Sequence, residues 1–312
     1  MNNLFMDTKT TQYGSHMVMT GSRKPTRTVY VNIDTKFRDA TNSSTLADYT
    51  ITLPERLNSV HSMEVISAEI PYTIYNISSA IGNNIFYLSY ETNDTANIKT
   101  IQIADGDYST AASIVSAINT SISALDSSYN TFALSTESVV GGASSYMCVL
   151  DNSAGTHSLH LNFGNIAHAP HERAALRGRL GWKLGFRDLN YVVSAAETVS
   201  GEAFIDVSPP KYVFLVVDDF AKGANNSFVA PFYKGIMNKN IIARIPITTD
   251  QYTFGQTIFA NTIKGTMISD TRTYTGTGAD LQRLKVQLVD EFGALVDLNE
   301  MDFSFVLRLE VE

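Results

Sequence analysis

Residues 281–310 read Leu281-Gln-Arg-Leu-Lys-Val-Gln-Leu-Val-Asp-Glu-Phe-Gly-Ala-Leu-Val-Asp-Leu-Asn-Glu-Met-Asp-Phe-Ser-Phe-Val-Leu-Arg-Leu-Glu310. The first part is a strand pattern from Leu284 to Val289. Asp290-Glu291-Phe292-Gly293 then supplies a turn in which glycine tolerates positive φ, and Asp297-Leu-Asn299 offers side-chain caps to the following loop. Phe303, Phe305, Leu307 and Leu309 alternate along the last strand, Phe303 to Val311, and so share one face, as the core of a β-sandwich requires.

Working outward, strand-like stretches recur upstream at Ala203 to Val207, Lys211 to Val217, Ile241 to Ile247 and Thr257 to Asn261. Turn signals at Ser208-Pro209-Pro210 and Gly276-Thr-Gly278 separate them. Near the other end, Val29, Val31 and Ile33 alternate, then Tyr49, Ile51 and Leu53 before Pro54, then Met63, Val65, Ala68 and Ile70 before Pro71. Early and late strands together number eight or nine, enough for a jelly roll. The expected fold is mainly β: a jelly-roll β-sandwich from residues 27–80 plus 202–312, an α+β insertion at 81–201, and an extended amino-terminal arm at 1–26. The competing layout is two consecutive β-sandwiches divided near Ser208-Pro209-Pro210.

The middle of the chain changes character. Asn84 to Tyr90 and Ile98 to Ile103 suggest a hairpin. Ala111, Ile114, Val115, Ile118 and Ile122 recur at helical spacing behind Ser109, which predicts a helix over 110–124 with Ser109 as its N-cap. Short strands are expected at Thr131 to Leu134, Tyr146 to Leu150 and Ser158 to Phe163, followed by a helical patch from Glu172 to Leu184.

Composition narrows the function. Of 312 residues 44% are hydrophobic and only 17% charged, a globular composition with a polar but sparsely charged surface suited to contacts with neighbours. A net charge of −8 argues against a body that coats nucleic acid, since phosphate binding relies on clustered Lys and Arg. Cys148 is the sole cysteine, so no intrachain disulfide forms and a reducing compartment is expected. Neither a signal peptide nor a run of about 18 apolar residues is present, which points to cytosolic synthesis. Asn-X-Ser/Thr triplets such as Asn76-Ile-Ser78 follow from a composition rich in Asn, Ser and Thr.

Catalytic signals are missing. His157-Ser-Leu-His160 and His168-Ala-Pro-His171 space two imidazoles by three residues, but i and i+3 on a strand face opposite ways and Pro170 interrupts any helix, so both pairs read as surface or loop residues rather than metal ligands. Asp218-Asp219 closes an apolar run, where adjacent side chains diverge and form no dyad. Cys148 sits in Tyr146-Met-Cys-Val-Leu150 and packs as a small hydrophobe. No phosphate loop, GxSxG elbow, HExxH or paired CxxC occurs. The reading is therefore no enzyme, no catalytic residue, no metal and no cofactor. The interaction candidates are basic: Arg23 and Lys24 in the arm, and Arg173, Arg177, Arg179, Trp182 and Lys183 in the one local basic face, which suits an acidic patch on a neighbouring subunit better than DNA.

The 281–310 stretch resembles the closing pattern of the minor capsid and penton proteins of nucleocytoplasmic large DNA viruses and their virophage relatives: strand, acidic-aromatic-Gly turn, Asp-Leu-Asn, then Asp-Phe-Ser-Phe strand. Val29-Tyr-Val-Asn-Ile-Asp-Thr-Lys-Phe-Arg-Asp39, Asp48-Tyr-Thr-Ile-Thr-Leu-Pro54 and Ala68-Glu-Ile-Pro-Tyr72 are similar to that family's opening strands. Gly106-Asp-Tyr108, Leu184-Gly-Phe186 and Pro210-Lys-Tyr-Val-Phe-Leu-Val-Val-Asp-Asp-Phe220 fall in the same order. The resemblance implies a structural protein of an icosahedral virion, penton or minor capsid component. It would be assembled in the host cytoplasm, with the major capsid protein and other coat subunits as partners, as a homo-oligomer without sequence-specific nucleic acid or direct membrane contact. The rival reading is a carbohydrate- or receptor-binding jelly-roll module using insertion aromatics such as Tyr87 or Tyr90. A glycan hydrolase ranks third.

Overall fold

In the computed structural model one long strand links two layers of β-structure. The structure describes residues 25–39, 45–90, 98–138, 146–164, 176–221, 224–225, 228, 230, 240–248 and 250–312. Its strands are β1 (Arg27–Asp34), β2 (Asp48–Pro71), β3 (Ile85–Ser89), β4 (Lys99–Gln102), β5 (Ala133–Ser138), β6 (Tyr146–Asp151), β7 (Leu159–Asn162), β8 (Asn190–Val193), β9 (Thr198–Phe204), β10 (Tyr212–Asp218), β11 (Ala224–Asn225), β12 (Ile241–Pro246), β13 (Thr257–Asn261), β14 (Ile268–Ser269), β15 (Arg272–Tyr274), β16 (Ala279–Val289) and β17 (Ser304–Val311). Its α-helices are α1 (Ala111–Ser123) and α2 (Leu180–Lys183).

The first half of β2 pairs antiparallel with β16, from Asp48 opposite Gln287 to Val60 opposite Ala279. The second half pairs with β17, from Val60 opposite Val311 to Glu69 opposite Ser304, and its other edge carries β15 and β13. One layer is thus β1-β17-β2 with β13 and β15, and the other is β2-β16-β10-β12-β14. The chain is mainly β, with curled antiparallel sheets of the jelly-roll type. β1 and β2 share one sheet with β10, β16 and β17, whereas two consecutive sandwiches divided near Ser208-Pro209-Pro210 would keep them apart.

β2 corrects the expectation of two strands broken at Pro54. The chain runs straight through, because the ladder opens there: Thr52 faces Arg283 and Leu57 faces Leu281, so four β2 residues stand against one on β16. In that gap Pro54 withholds no needed N–H. Further irregularities flank Val60, and another lies at Ile66, where Val65 faces Leu307 and Ser67 faces Val306. One extra residue lets both Val65 and Ala68 point inward, and its carbonyl accepts the Thr262 N–H at 3.0 Å.

Inward side chains of both layers form one apolar core, including Ile33, Tyr49, Met63, Val65, Leu215, Ile245, Leu284, Val286, Phe305 and Leu307. Tyr49 meets Phe303 edge-on with centroids 6.0 Å apart. The Asp290 turn forms as expected: Asp290 Oδ1 accepts the N–H groups of Phe292 (2.9 Å) and Ala294 (2.8 Å), and Gly293 has φ 83°.

A second core, sharing no residue with the first, gathers Phe86, Leu88, Ile114, Ile118, Tyr129, Cys148, Leu150, Leu161, Phe163, Leu180 and Phe186. It lies among α1, the sheet β4-β3-β7-β8 and the sheet β5-β6-β9. The strand expected at Ala203 to Val207 belongs here: it ends at Phe204 and pairs with Met147, so it adds nothing to the larger sheet. The N-cap of α1 is Thr110 rather than Ser109, because Thr110 accepts from Ser113 N–H while the Ser113 hydroxyl sits 3.3 Å from the Thr110 N–H, a reciprocal cap. β8, β14 and β15 were not expected; at four, two and three residues they carry no readable period.

Asn76 clamps the two crossings between these cores. Its Nδ2 donates to Tyr108 O (2.8 Å) and Val207 O (2.5 Å), and its Oδ1 accepts from Tyr108 N–H at 2.9 Å. The side chain is buried, so removing it strands backbone groups at about 1–3 kcal/mol each. Asn76→Ala is expected to lower the midpoint of chemical denaturation by several tenths of molar or more, and an unchanged midpoint would show that the clamp adds nothing.

Candidate interaction surface

The basic stretch enters the described residues at Leu176 and continues through α2. Arg23, Lys24 and Arg173 lie outside them. α2 stays short because its glycines meet other elements: a Cβ on Gly181 would sit 2.4 Å from the Phe163 ring, and one on Gly185 would sit 2.0 Å from Ala203 O. Gly185 also adopts φ 95°, and its carbonyl accepts the Ala203 N–H at 2.9 Å, which docks the end of the helix on β9.

The four described candidates of this stretch, Arg177, Arg179, Trp182 and Lys183, part company in space. Arg179 Nη1 donates to Gly82 O at 2.9 Å, and Lys183 Nζ donates to Ser208 O. Burial pulls the Lys183 ammonium pKa down, while Asp206 and Glu291 nearby oppose that pull. Both cations therefore serve internal carbonyls, one at the loop before β3 and the other at the crossing before β10. Arg177 remains exposed. Its guanidinium lies 5.7 Å from the centroid of the half-buried Trp182 ring, and the Arg187 guanidinium lies 3.8 Å from the same ring.

Arg187 is the residue that sequence reading passed over, although it directly follows Leu184-Gly-Phe186. Its Nη1 donates to Trp182 O (3.1 Å) and Phe186 O (3.0 Å), and its backbone N–H donates to Tyr191 Oη (2.9 Å) and Glu202 Oε2 (3.0 Å). The Tyr191 hydroxyl, pushed up to about 12 chiefly by burial, bonds Glu202 and holds the corner. The result is a rigid surface of indole and two guanidiniums, chemically suited to carboxylates or another aromatic face.

The acids and histidines do other work. Asp218 and Asp219 diverge as expected: Asp218 Oδ1 accepts the Phe220 N–H at 2.9 Å, while Asp219 turns inward. Arg272 Nη1 meets Asp219 Oδ2 at 2.8 Å and Val217 O at 2.8 Å, Nη2 reaches Asn240 O at 3.1 Å, and the Tyr274 hydroxyl donates to the same carboxylate. Burial, then the Asp219 charge, raises the Tyr274 pKa. This buried ion pair, at 1% and 4% side-chain exposure, was not legible beforehand because Arg272 stands in a three-residue strand. It ties the end of β10 to β15.

His157 packs edge-on to Tyr90 at 5.8 Å, and Tyr90 itself stacks on Tyr129 at 4.5 Å and bonds Ser128 O, so that aromatic is engaged internally. His168 and His171 lie outside the described residues. Cys148 is fully buried and its thiol is pushed up to about 12 by burial. Among the described residues no three metal-ligating side chains converge, and no helix is long and apolar enough to cross a membrane.

Residues 19–261 match a protein family described as of unknown function, DUF5901. The chain belongs to that family. No curated protein matches it. Among solved structures it is similar to the mavirus penton protein, crystallised in selenomethionine-labelled form, at 11% identity and a TM-score of 0.40, with 92% of this chain and 100% of that chain covered.

Two measurements test the arrangement of this region. Gly185→Ala should lower thermal stability by several degrees, since positive φ and a backbone oxygen at 2.0 Å leave a methyl no room; a wild-type melting curve would refute the docking. Arg272→Ala leaves Asp219 buried and unpaired and should cost about 3–5 kcal/mol in urea unfolding. The paired change Arg272→Met with Asp219→Leu should recover much of that loss.

Proposed function

We propose that this chain is a structural component of an icosahedral virion, a penton or minor capsid protein that acts by being held between neighbours rather than by catalysis. The observation that carries the reading is the likeness of residues 29–54 and 281–310 to the opening and closing strands of minor capsid and penton proteins, together with their placement as adjacent strands β1, β17, β2 and β16. Segments that are far apart in sequence and alike in the same order belong here to one sandwich, as they would in a member of that group.

In this reading residues 27–80 and 202–312 form the shell-building sandwich, residues 81–201 an α+β insertion, and residues 1–26 an arm. Copies of the chain associate with one another, with the major capsid protein and with other coat subunits, in particles assembled in the host cytoplasm. Arg177, Trp182 and the neighbouring Arg187 form a contact patch for an acidic surface of such a subunit, with Arg23, Lys24 and Arg173 as further cationic contacts. Arg179 and Lys183 contribute by holding the patch in place. Weak contacts repeated over a closed shell sum to a stable assembly.

Mass spectrometry of purified virions, with stepwise extraction of the shell, tests the proposal. The chain should be packaged at a fixed, low ratio to the major capsid protein and leave with the shell layer; its absence from particles would overturn the assignment. Arg177→Glu combined with Trp182→Ala should reduce incorporation severalfold while circular dichroism stays unchanged.

A further inference from the structure

Among the described residues β1 is the outermost strand of its layer, and only β17 pairs with it. Its inward residues Val29 and Val31 are only partly buried, unlike Ile33. Facing it, the first half of β2 is likewise an outer strand of the other layer. Between these two margins the sandwich is open. The gap is a groove of about 530 Å³, walled by Val31, Ile33, Ile51, Leu53, Pro54 and Leu57. Tyr30 and Phe37 stand on its rim at 63% and 72% exposure. A free strand edge beside an apolar trough accepts an added extended segment, whose backbone extends the sheet while alternate side chains fill the trough.

We propose that the occupant is the amino-terminal segment of a second copy of this chain, with Leu4-Phe5-Met6 as its apolar anchor. Three observations favour it. Leu4-Phe5-Met6 and Met17-Val18-Met19 are the two apolar triplets of the segment Met1 to Lys24, which lies outside the described residues, and Leu4-Phe5-Met6 is the one farther along the chain from β1 and so the one with the longer reach. The segment joins β1 at Arg27, whereas the groove begins at Tyr30 and continues to Phe37, so a chain's own segment would have to reverse sharply to lie in it. Finally, the stretch from Met6 to Pro25 spans up to about 60 Å at ~3.3 Å per residue, against a radius of gyration of roughly 20 Å for a compact chain of this length. The arm is thus long enough to reach a neighbouring subunit.

This inference rests on the assembly reading above and deepens it by naming the partner. The test uses full-length chains: a light copy carrying the photo-reactive residue p-benzoylphenylalanine in place of Tyr30, mixed as dilute subunits with a nitrogen-15 wild-type copy, concentrated, and irradiated. Tyr30 is exposed, so the replacement leaves the core intact. The expected result is heavy peptides from residues 1–24 joined to the light groove, lost when the light copy also carries Phe37→Asp. Adducts to light arm peptides alone would overturn the exchange between copies, as would adducts elsewhere or none. A chain absent from virions that still yields heavy adducts would sink the capsid reading and leave this one standing. A packaged chain without them would do the reverse.

Discussion

The structure depends on a single strand being shared by two layers. Were β2 a regular ladder partner along all 24 residues, a one-residue slip anywhere would turn its whole apolar set toward solvent. Instead the register restarts four times, beside Pro54, before Val60, at His61 and at Ile66, so Tyr49, Ile51 and Leu53 in one layer and Met63, Val65, Ala68 and Ile70 in the other all reach the same core. Because β16 takes one half of β2 and β17 the other, the last strands of the chain are what close the sandwich built by the first. Most of its stabilising burial is therefore non-local.

That dependence explains what could be read in the sequence. Strands at Thr257 to Asn261 and Ile241 to Pro246, and the helix Ala111 to Ser123, appear where period and flanking turns placed them, since each is defined by its own apolar spacing. The step from Val65 to Ala68 already broke the period of two, and it marks the bulge at Ile66. Pro54 misled for a physical reason: a proline normally ends a strand interior, yet here the ladder with β16 is open at that point. The destination of Ala203 was equally hidden, because a short strand with mixed burial pairs by tertiary proximity, and Gly185 is what holds it against α2.

The candidate surface was legible in outline only. Charge and the sole tryptophan drew attention to this segment, but a cation's availability depends on whether a carbonyl lies within reach, and that is decided by elements distant in sequence. Gly82 and Ser208 stand far from Arg179 and Lys183 along the chain, and their oxygens consume those donors. Arg187, by contrast, stacks on Trp182 because Tyr191 and Glu202 fix its backbone, an arrangement that no local pattern announces.

The same reasoning separates rigidity from recognition in this molecule. Buried polar groups such as Asn76, Asp219 and Arg272 sit where two elements must meet at one geometry, and each is bonded to backbone carbonyls or N–H groups that would otherwise be stranded. Such groups add little net stability compared with apolar packing of the same volume, but they penalise every alternative juxtaposition. A subunit that must present one surface at a fixed angle to its neighbours benefits from that penalty. In the proposed capsid role, recognition falls to groups whose chemistry is left facing outward: the guanidinium-indole stack at Trp182, and the open apolar margin between β1 and β2.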